Sequence, residues 1–231
     1  MAFPKPAFFL SLFLVGWLLA SCGAPARMQS AQQYGIKDPK PDVWTQRNQK
    51  INQYIQTYSS NNHVQVCLSR AEDNGYLPYI HRVFFKYRLP PELSLLPILE
   101  SCFDTEADSG RARGMWQFTK ATAGDYGLRV NWLTDDRLNW RKSTHSAAKY
   151  LSVLGERFNH NWELALAAYN GGPNYLDRTM KKQRVWNFWK LQLREETAEY
   201  VPKFLAMLHV ARQRFPELYY AGGPRFWRNA S

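Results

Sequence analysis

The chain contains 231 residues, of which 45% are hydrophobic and 15% aromatic, and it carries a formal net charge of +11. A chain of this length and composition can bury a sizeable core in one domain, which excludes an intrinsically disordered protein. Lysine and arginine are spread along the sequence instead of forming one block. The charge therefore favours a solvated basic surface and gives little support to nucleic-acid binding.

The first 21 residues have the pattern of a lipoprotein signal peptide. After Lys5 comes the uncharged run "FFLSLFLVGWLLA", which suits the core of a secretory signal and is too short to span a bilayer comfortably. This run leads into "LASC", residues 19–22, which resembles the lipobox of bacterial lipoproteins. The resemblance implies cleavage before Cys22, lipidation of Cys22 and, because Gly23 follows, sorting to the outer membrane facing the periplasm. A chance cysteine after an ordinary signal peptide is the alternative.

The rest of the chain divides into three segments. Residues 22–44 are rich in Ala, Gln and Pro, which is typical of a flexible tether. Residues 45–215 show apolar residues at helical spacing and no alternating run long enough for an extended sheet, so they predict a single, mainly α-helical domain. Residues 216–231 are interpreted as a loosely held tail.

Apolar spacing and helix start and stop signals predict the helices of this domain. Asn62 is the predicted cap of the second helix, and Pro91 suits the first position of the fourth. The sixth helix presents one apolar face, comprising Ala147, Tyr150, Leu151 and Leu154. The predicted helical segments lie within 44–58, 62–71, 75–88, 91–101, 114–128, 139–158, 161–173 and 195–215.

The apolar stretch "ELSLLPILESCF", residues 92–103, carries Glu100 near its end. In a helix over 91–101, Glu100 shares a face with Leu93 and Leu96, although Pro97 weakens the helix. Apolar neighbours and a helix C-terminus both disfavour the charged form and raise the pKa of Glu100. A carboxyl group that stays protonated near neutral pH is what a general acid requires. A buried structural glutamate, bonded to an arginine or a backbone amide, is the alternative.

Four motifs stand in order around this glutamate. They are "ES" at Glu100, "GMWQ" from Gly114, "AAYNGG" and "EETAEYVPKFLA". Together, over about residues 65–212, they resemble the lytic transglycosylases of the lysozyme superfamily. The resemblance implies a lysozyme-like fold and a lyase that cleaves the β-1,4 bond between N-acetylmuramic acid and N-acetylglucosamine in peptidoglycan. Longer members carry LysM wall-binding repeats after the catalytic domain, and none is expected in this chain.

The resemblance also implies roles for individual residues. Glu100 is the implied catalytic acid and base, and the implied substrate-binding residues are Ser109, Gln117, Tyr169, Asn170 and Tyr200. Each of these five also has a structural alternative. Ser109 suits a turn, Gln117 a helix surface, Asn170 a helix C-cap, and both tyrosines core packing. Three tryptophans either stack on sugar rings or pack in the core, namely Trp116, Trp132 and Trp162.

Glycosidases usually place two carboxylates around the bond. The candidates near Glu100 lie in polar loop sequence and no motif singles one out; they are Asp104, Glu106, Asp108 and Asp125. A single-acid scheme suits the family, because the C6 hydroxyl of the muramic residue can replace water and form a 1,6-anhydro product. Two alternatives stay open: a hydrolase on the same fold, and a lipoprotein that binds glycan strands without catalysis.

Cysteine and histidine indicate no metal site. The five histidines show no ligand spacing with cysteines or acidic residues, so neither a metal nor another cofactor is predicted. In an exported protein, Cys67 and Cys102 either form a disulfide or remain two buried free thiols, and both alternatives stay open. The predicted partners are peptidoglycan glycan strands and, through Cys22, a membrane; nucleic acid is not expected.

Overall fold

The computed structural model describes residues 43–215. The predicted signal peptide, the lipidation of Cys22, nearly all of the tether and the tail at 216–231 lie outside the described residues. The described chain is mainly α-helical, which confirms the predicted fold class. None of the helices between residues 43 and 215 combines the length and the apolar character that a bilayer crossing requires.

Three helices precede the candidate site, namely α1 (Gln49–Ser60), α2 (His63–Asp73) and α3 (Tyr76–Lys86). The side chain of Asn48 caps α1, since it accepts a hydrogen bond from the backbone N–H of Ile51 at 2.9 Å. Asn62 stands at the start of α2 but makes no side-chain cap hydrogen bond. Asn61 accepts from the backbone N–H of His63 at 3.0 Å instead. Asn62 therefore occupies the predicted N-cap position without supplying the side-chain hydrogen bond.

The predicted continuous helix over 91–101 is also wrong. A 3-10 helix spans Pro91–Leu95, and α4 spans Leu96–Glu100. Pro97 has no backbone N–H to donate, so one continuous run of α-helical hydrogen bonds cannot form through this segment. Leu93 and Leu96 are nevertheless fully buried. Glu100 ends α4 with a partly exposed side chain.

A small hairpin follows α4, and the sequence analysis did not predict it. Strands β1 (Ala112–Arg113) and β2 (Phe118–Thr119) pair antiparallel, with Ala112 opposite Thr119. The "GMWQ" motif forms the turn between them. Helix α5 (Lys120–Asp125) begins directly after β2, where the Thr119 hydroxyl accepts a hydrogen bond from the backbone N–H of Thr122 at 3.2 Å. The predicted helical segment 114–128 is thus helical only in its second half.

The remaining α-helices are α6 (Trp140–Arg157), α7 (Trp162–Gly171), α8 (Pro173–Gln183) and α9 (Glu195–Arg214), and a 3-10 helix, Phe188–Lys190, joins the last two. The predicted apolar face of α6 is buried. Helix α8 was missed, because Pro173 was interpreted as the end of a helix. Proline is in fact well suited to the first position of a helix, where its missing N–H would have no partner anyway.

The core forms where α9 packs against α1 and α7. In α9, Phe204 meets Trp44 edge to face, with ring centroids 6.2 Å apart. Val43 and Trp44 are themselves buried. Because these two side chains belong to the core, the packed domain begins before the predicted boundary at residue 45.

A disulfide joins Cys67 of α2 to Cys102, two residues after the end of α4. Of the two alternatives for these cysteines, the structure therefore shows the disulfide and not two free thiols. His63 lies beside the two sulfur atoms, so three residues of metal-ligand type come together here. The disulfide bond occupies both sulfur atoms and links α2 covalently to the segment that follows Glu100.

Candidate active site

The carboxyl group of Glu100 is surrounded by protein atoms that desolvate it, and part of the side chain reaches the surface. Desolvation raises the pKa of Glu100 from its ordinary value of 4.5 to about 7, a hydrogen bond from Tyr200 opposes the rise, and the charge of Glu196 adds to it. Helix α4 has only five residues. Desolvation, not the helix dipole, is therefore the main cause of the raised pKa.

Tyr200 contacts the carboxyl group directly. It lies in α9, a hundred residues along the chain, and its hydroxyl donates a hydrogen bond to Oε1 of Glu100. Burial, followed by the charge of Glu100, raises the pKa of Tyr200 well above its ordinary value, so the phenol keeps its proton. The hydrogen bond occupies Oε1, which makes Oε2 the oxygen that can carry and deliver a proton.

Tyr169 contacts the hairpin turn and lies close enough to Glu100 to interact with its charge. It is the eighth residue of α7, and its hydroxyl donates to the backbone carbonyl of Trp116 at 2.9 Å. Burial and then the charge of Glu100 raise the pKa of Tyr169 well above its ordinary value. The ring also packs on Tyr150, with centroids 5.3 Å apart. Tyr169 thus combines packing with a position beside the carboxyl group.

Asn170 connects α7 to the start of α9. Its Oδ1 accepts a hydrogen bond from the Thr197 hydroxyl at 3.0 Å, and its Nδ2 donates to Oε1 of Glu196 at 3.3 Å. The C-cap of α7 is Gly172, so the C-cap alternative for Asn170 is wrong. Helices α7 and α9 approach so closely here that a Cβ atom on Gly171 would lie 2.8 Å from the Thr197 hydroxyl.

Gln117 lies in the hairpin turn, not on a helix surface as one alternative had it. Its backbone is left-handed, with φ of 47°, and its Nε2 donates to the carbonyl of Gly114 at 3.0 Å. Gly114 also has positive φ, and a Cβ atom there would lie 2.0 Å from the carbonyl oxygen of Arg137. Ser101 fastens the turn to α4, because its hydroxyl donates to the carbonyl of Met115 at 2.8 Å. The glycine is therefore a steric requirement of the turn that positions Gln117.

Ser109, another predicted site residue, makes its side-chain hydrogen bonds within the turn before β1. It is exposed, and its hydroxyl lies 3.1 Å from both the backbone nitrogen and the carbonyl oxygen of Ala112. These contacts close the turn before β1. The hydrogen bonds therefore support the turn alternative, in which Ser109 shapes the hairpin that carries Gln117.

The second carboxylate near Glu100 is Glu196, which the sequence analysis missed. Glu196 is exposed on the first turn of α9, and its charge acts on Glu100. A signal was present, because Glu196 precedes Tyr200 by four residues and so shares its helix face. Two candidates in the loop have structural contacts instead. Asp108 binds Arg113 at 2.6 Å, and Asp104 accepts a hydrogen bond from the backbone N–H of Glu106 at 2.9 Å.

The candidate tryptophans separate into core and surface. Trp116 and Trp162 are buried and pack in the core, so stacking on a sugar is excluded for both in this structure. Trp132 is 90% exposed. Of these three tryptophans, only Trp132 is open to a ligand.

Glu100 ends a short helix, has a pKa raised to about 7 and accepts a hydrogen bond from a tyrosine of the last long helix. With the small hairpin fastened to the next residue, Ser101, and the mainly helical fold, this is the arrangement of a lysozyme-like transglycosylase domain. Residues 84–192 match the Transglycosylase SLT domain, and this match lies entirely within the described residues.

The chain is 35% identical over 171 residues to membrane-bound lytic murein transglycosylase D of Escherichia coli strain K12, a match that covers 71% of this chain and 37% of that protein. It is 38% identical over 114 residues to the putative tributyltin chloride resistance protein of Alteromonas sp. strain M-1, covering 49% and 55%. It is also 47% identical over 64 residues to peptidoglycan transglycosylase gp16 of Escherichia phage T7, covering 27% and 5%. The chain thus spans little more than a third of the length of the Escherichia coli relative.

Proposed function

We propose that the protein is a lytic transglycosylase that cleaves the β-1,4 bond between N-acetylmuramic acid and N-acetylglucosamine and leaves 1,6-anhydromuramic acid ends. The observation that carries the proposal is the carboxyl group of Glu100, whose pKa of about 7 lets it hold a proton at neutral pH. The match of residues 84–192 to the SLT domain and the names of two relatives support the substrate.

The first step is protonation of the leaving group. Glu100 gives the proton on Oε2 to the bridging oxygen, and the bond between that oxygen and C1 of the muramic residue breaks. The N-acetyl group of the same residue stabilises the positive charge that develops at C1, a substrate-assisted route that needs no carboxylate nucleophile. The negative charge of Glu196 also stabilises the positive charge that develops at C1.

The second step closes the ring. Glu100, now ionised, takes the proton of the C6 hydroxyl group, and the C6 oxygen bonds to C1. The glutamic acid is restored and no water is consumed. Tyr200 supports this change of role, because its hydrogen bond to Oε1 stabilises the carboxylate between the two steps. Gln117, Tyr169 and Asn170 are proposed to hold the sugars around the carboxyl group.

A digestion of purified sacculi tests the reaction. The full-length chain is incubated with sacculi and the released fragments are weighed, and anhydro ends, lighter by one water than reducing ends, are expected. Glu100→Gln keeps the shape of the side chain but cannot transfer a proton, so release is expected to fall by a factor of about 100 or more. Glu106→Gln, an exposed glutamate in the loop after α4, is the matched control and should release fragments normally.

Two other results of this digestion would replace the proposal. Reducing ends would identify a hydrolase on the same fold. Sedimentation with sacculi without any release would identify a glycan-binding protein that lacks catalysis.

We also propose that a lipid on Cys22 holds the protein in the cell envelope, in the outer membrane facing the periplasm. The support is the "LASC" sequence followed by Gly23, together with the word "membrane-bound" in the name of the Escherichia coli relative. Labelled palmitate is expected to be incorporated by the wild-type chain. Incorporation that persists in Cys22→Ser would contradict this attachment site.

A further inference from the structure

The loop between α5 and α6 ends in a turn with two exposed apolar side chains. Trp132 is 90% exposed and Leu133 is 72% exposed. Residues 131–134 are called the tryptophan tip below. Both side chains belong to one exposed loop end, where a ligand can reach them.

The tryptophan tip is held by its own hydrogen bonds. The backbone N–H of Asn131 donates to the carbonyl of Thr134 at 2.8 Å, and Oδ1 of Asn131 accepts from the backbone N–H groups of Leu133 and Thr134, both at 2.9 Å. The conformation of the turn is thus fixed before any ligand arrives. A preformed aromatic platform binds with a smaller entropic cost than a flexible one.

The base of this loop is attached to the hairpin that carries Gln117. Asp135 binds Arg137 at 2.6 Å and Arg113 of β1 at 3.4 Å. The carbonyl of Arg137 also lies against Gly114. Trp132 is three residues from Asp135, so the two are separated by at most about 10 Å. The tryptophan tip is therefore an extension of the hairpin side of the Glu100 site.

A second exposed tryptophan lies elsewhere. Trp186 is 63% exposed and follows α8, where the backbone N–H of Val185 donates to the carbonyl of Met180 at 3.1 Å. Helix α8 begins beside Gly171, at the Glu100 site, and its 11 residues extend about 16 Å from there. Trp186 thus has similar chemistry at the far end of a helix, which makes it a matched control for Trp132.

We propose that Trp132 is an outer binding position for the glycan strand, where the indole ring stacks on the C–H face of a sugar some distance from the bond that is cut. This inference rests on the proposed function, since it extends the same substrate along the surface. The large π face of tryptophan suits such a contact, and Leu133 adds apolar area. Arg129 lies three residues before Trp132, within about 10 Å, and its side chain is 70% exposed while it pairs with Asp136 at 3.3 Å, so a cation for the carboxylates of stem peptides lies near the tip.

The experiment measures binding separately from catalysis. The full-length chain carrying Glu100→Gln is sedimented with purified, lipid-free sacculi over a range of sacculus concentrations. Trp132→Ala is expected to weaken this binding about tenfold, Trp132→Phe to retain most of it, and Trp186→Ala to leave it unchanged. Soluble glycan strands freed from their peptides are expected to compete with the sacculi. In the active chain, Trp132→Ala should raise KM for long strands and leave kcat nearly unchanged.

The possible results are distinct. Equal binding by Trp132→Ala and Trp186→Ala would overturn the inference, whatever the activity of the wild-type chain. A failure of the peptide-free strands to compete would also overturn it, because the tip would then bind the peptides. Trp132→Ala could also leave the binding to sacculi unchanged while phosphatidylethanolamine vesicles shift the tryptophan fluorescence to the blue. If Trp132→Phe removes that shift, the tip binds lipid and the inference is overturned. If Trp132→Ala weakens binding but the wild-type chain releases no fragments, the glycan position is supported and the proposed reaction fails.

Discussion

Cleavage is expected to slow as the pH rises through about 7, because only the protonated form of Glu100 can protonate the bridging oxygen. With a pKa of about 7, the protonated fraction falls from about 90% at pH 6 to about 10% at pH 8. The rate should therefore decrease about tenfold over this interval if proton transfer limits it.

Two variants should move this transition in opposite directions. Tyr200→Phe removes a hydrogen bond that stabilises the carboxylate, so the pKa of Glu100 rises and the loss of activity shifts to higher pH. Glu196→Gln removes a nearby negative charge, so the pKa falls and the loss shifts to lower pH. Glu195→Gln changes an exposed carboxylate one residue earlier on α9 and is the control, with no expected shift.

The assay is kcat/KM for soluble glycan strands between pH 4 and pH 9, since this quantity reports the ionisation of the free enzyme. Fragment masses are recorded at each pH to verify that the product stays the same. A shift in the same direction for both variants, or no shift for either, would refute the assignment of the transition to Glu100. A bell-shaped profile with a second, acidic limb would indicate another essential carboxylate, as a two-carboxylate hydrolase requires.

Three further predictions concern stability. Glu100→Gln should raise the free energy of unfolding by about 3 kcal/mol at pH 8 and leave it nearly unchanged at pH 4. The reason is that the pKa of Glu100 is about 7 in the folded chain and 4.5 in the unfolded chain, so the wild-type protein loses stability as the pH rises above 4.5. Equal gains at both pH values in urea titrations would contradict this. Replacing Cys67 and Cys102 by alanine should cost about 4 kcal/mol, from the 35-residue separation of the linked residues, whereas an unchanged melting temperature on reduction of the wild-type chain would argue against the disulfide. Gly114→Ala should destabilise the domain far more than Gly127→Ala, since both glycines have positive φ but only the first meets a neighbouring carbonyl oxygen, and similar melting temperatures for the two would count against this steric argument.

The helices were largely predictable, because their signal is local. The apolar face of α6, for example, follows from residues three and four positions apart, and all four of its predicted members are buried. Two of the failed predictions involve a proline. Pro97 divides the predicted fourth helix and Pro173 begins a helix that was missed. A proline can interrupt or begin a helix, and the sequence around it does not distinguish these two cases.

The site was predictable only in part. Motif resemblance singled out Glu100 and Tyr200, and the structure brings these side chains into contact across a hundred residues of chain. The role of Glu196 was missed, because its effect on Glu100 depends on where α9 begins relative to α4. Ser109 was predicted as a site residue, but its hydrogen bonds lie within its own turn.

The sequence by itself determined the mainly helical class, the motifs around Glu100 and the apolar neighbours that raise the pKa of that residue. Only the tertiary structure decided that Cys67 and Cys102 are joined, that Trp116 and Trp162 are buried while Trp132 is exposed, and that a second carboxylate acts on Glu100. The physical reason is the range of the interactions. Helical spacing is set by residues within one or two turns, whereas burial, cross-links and charge coupling depend on how distant helices pack.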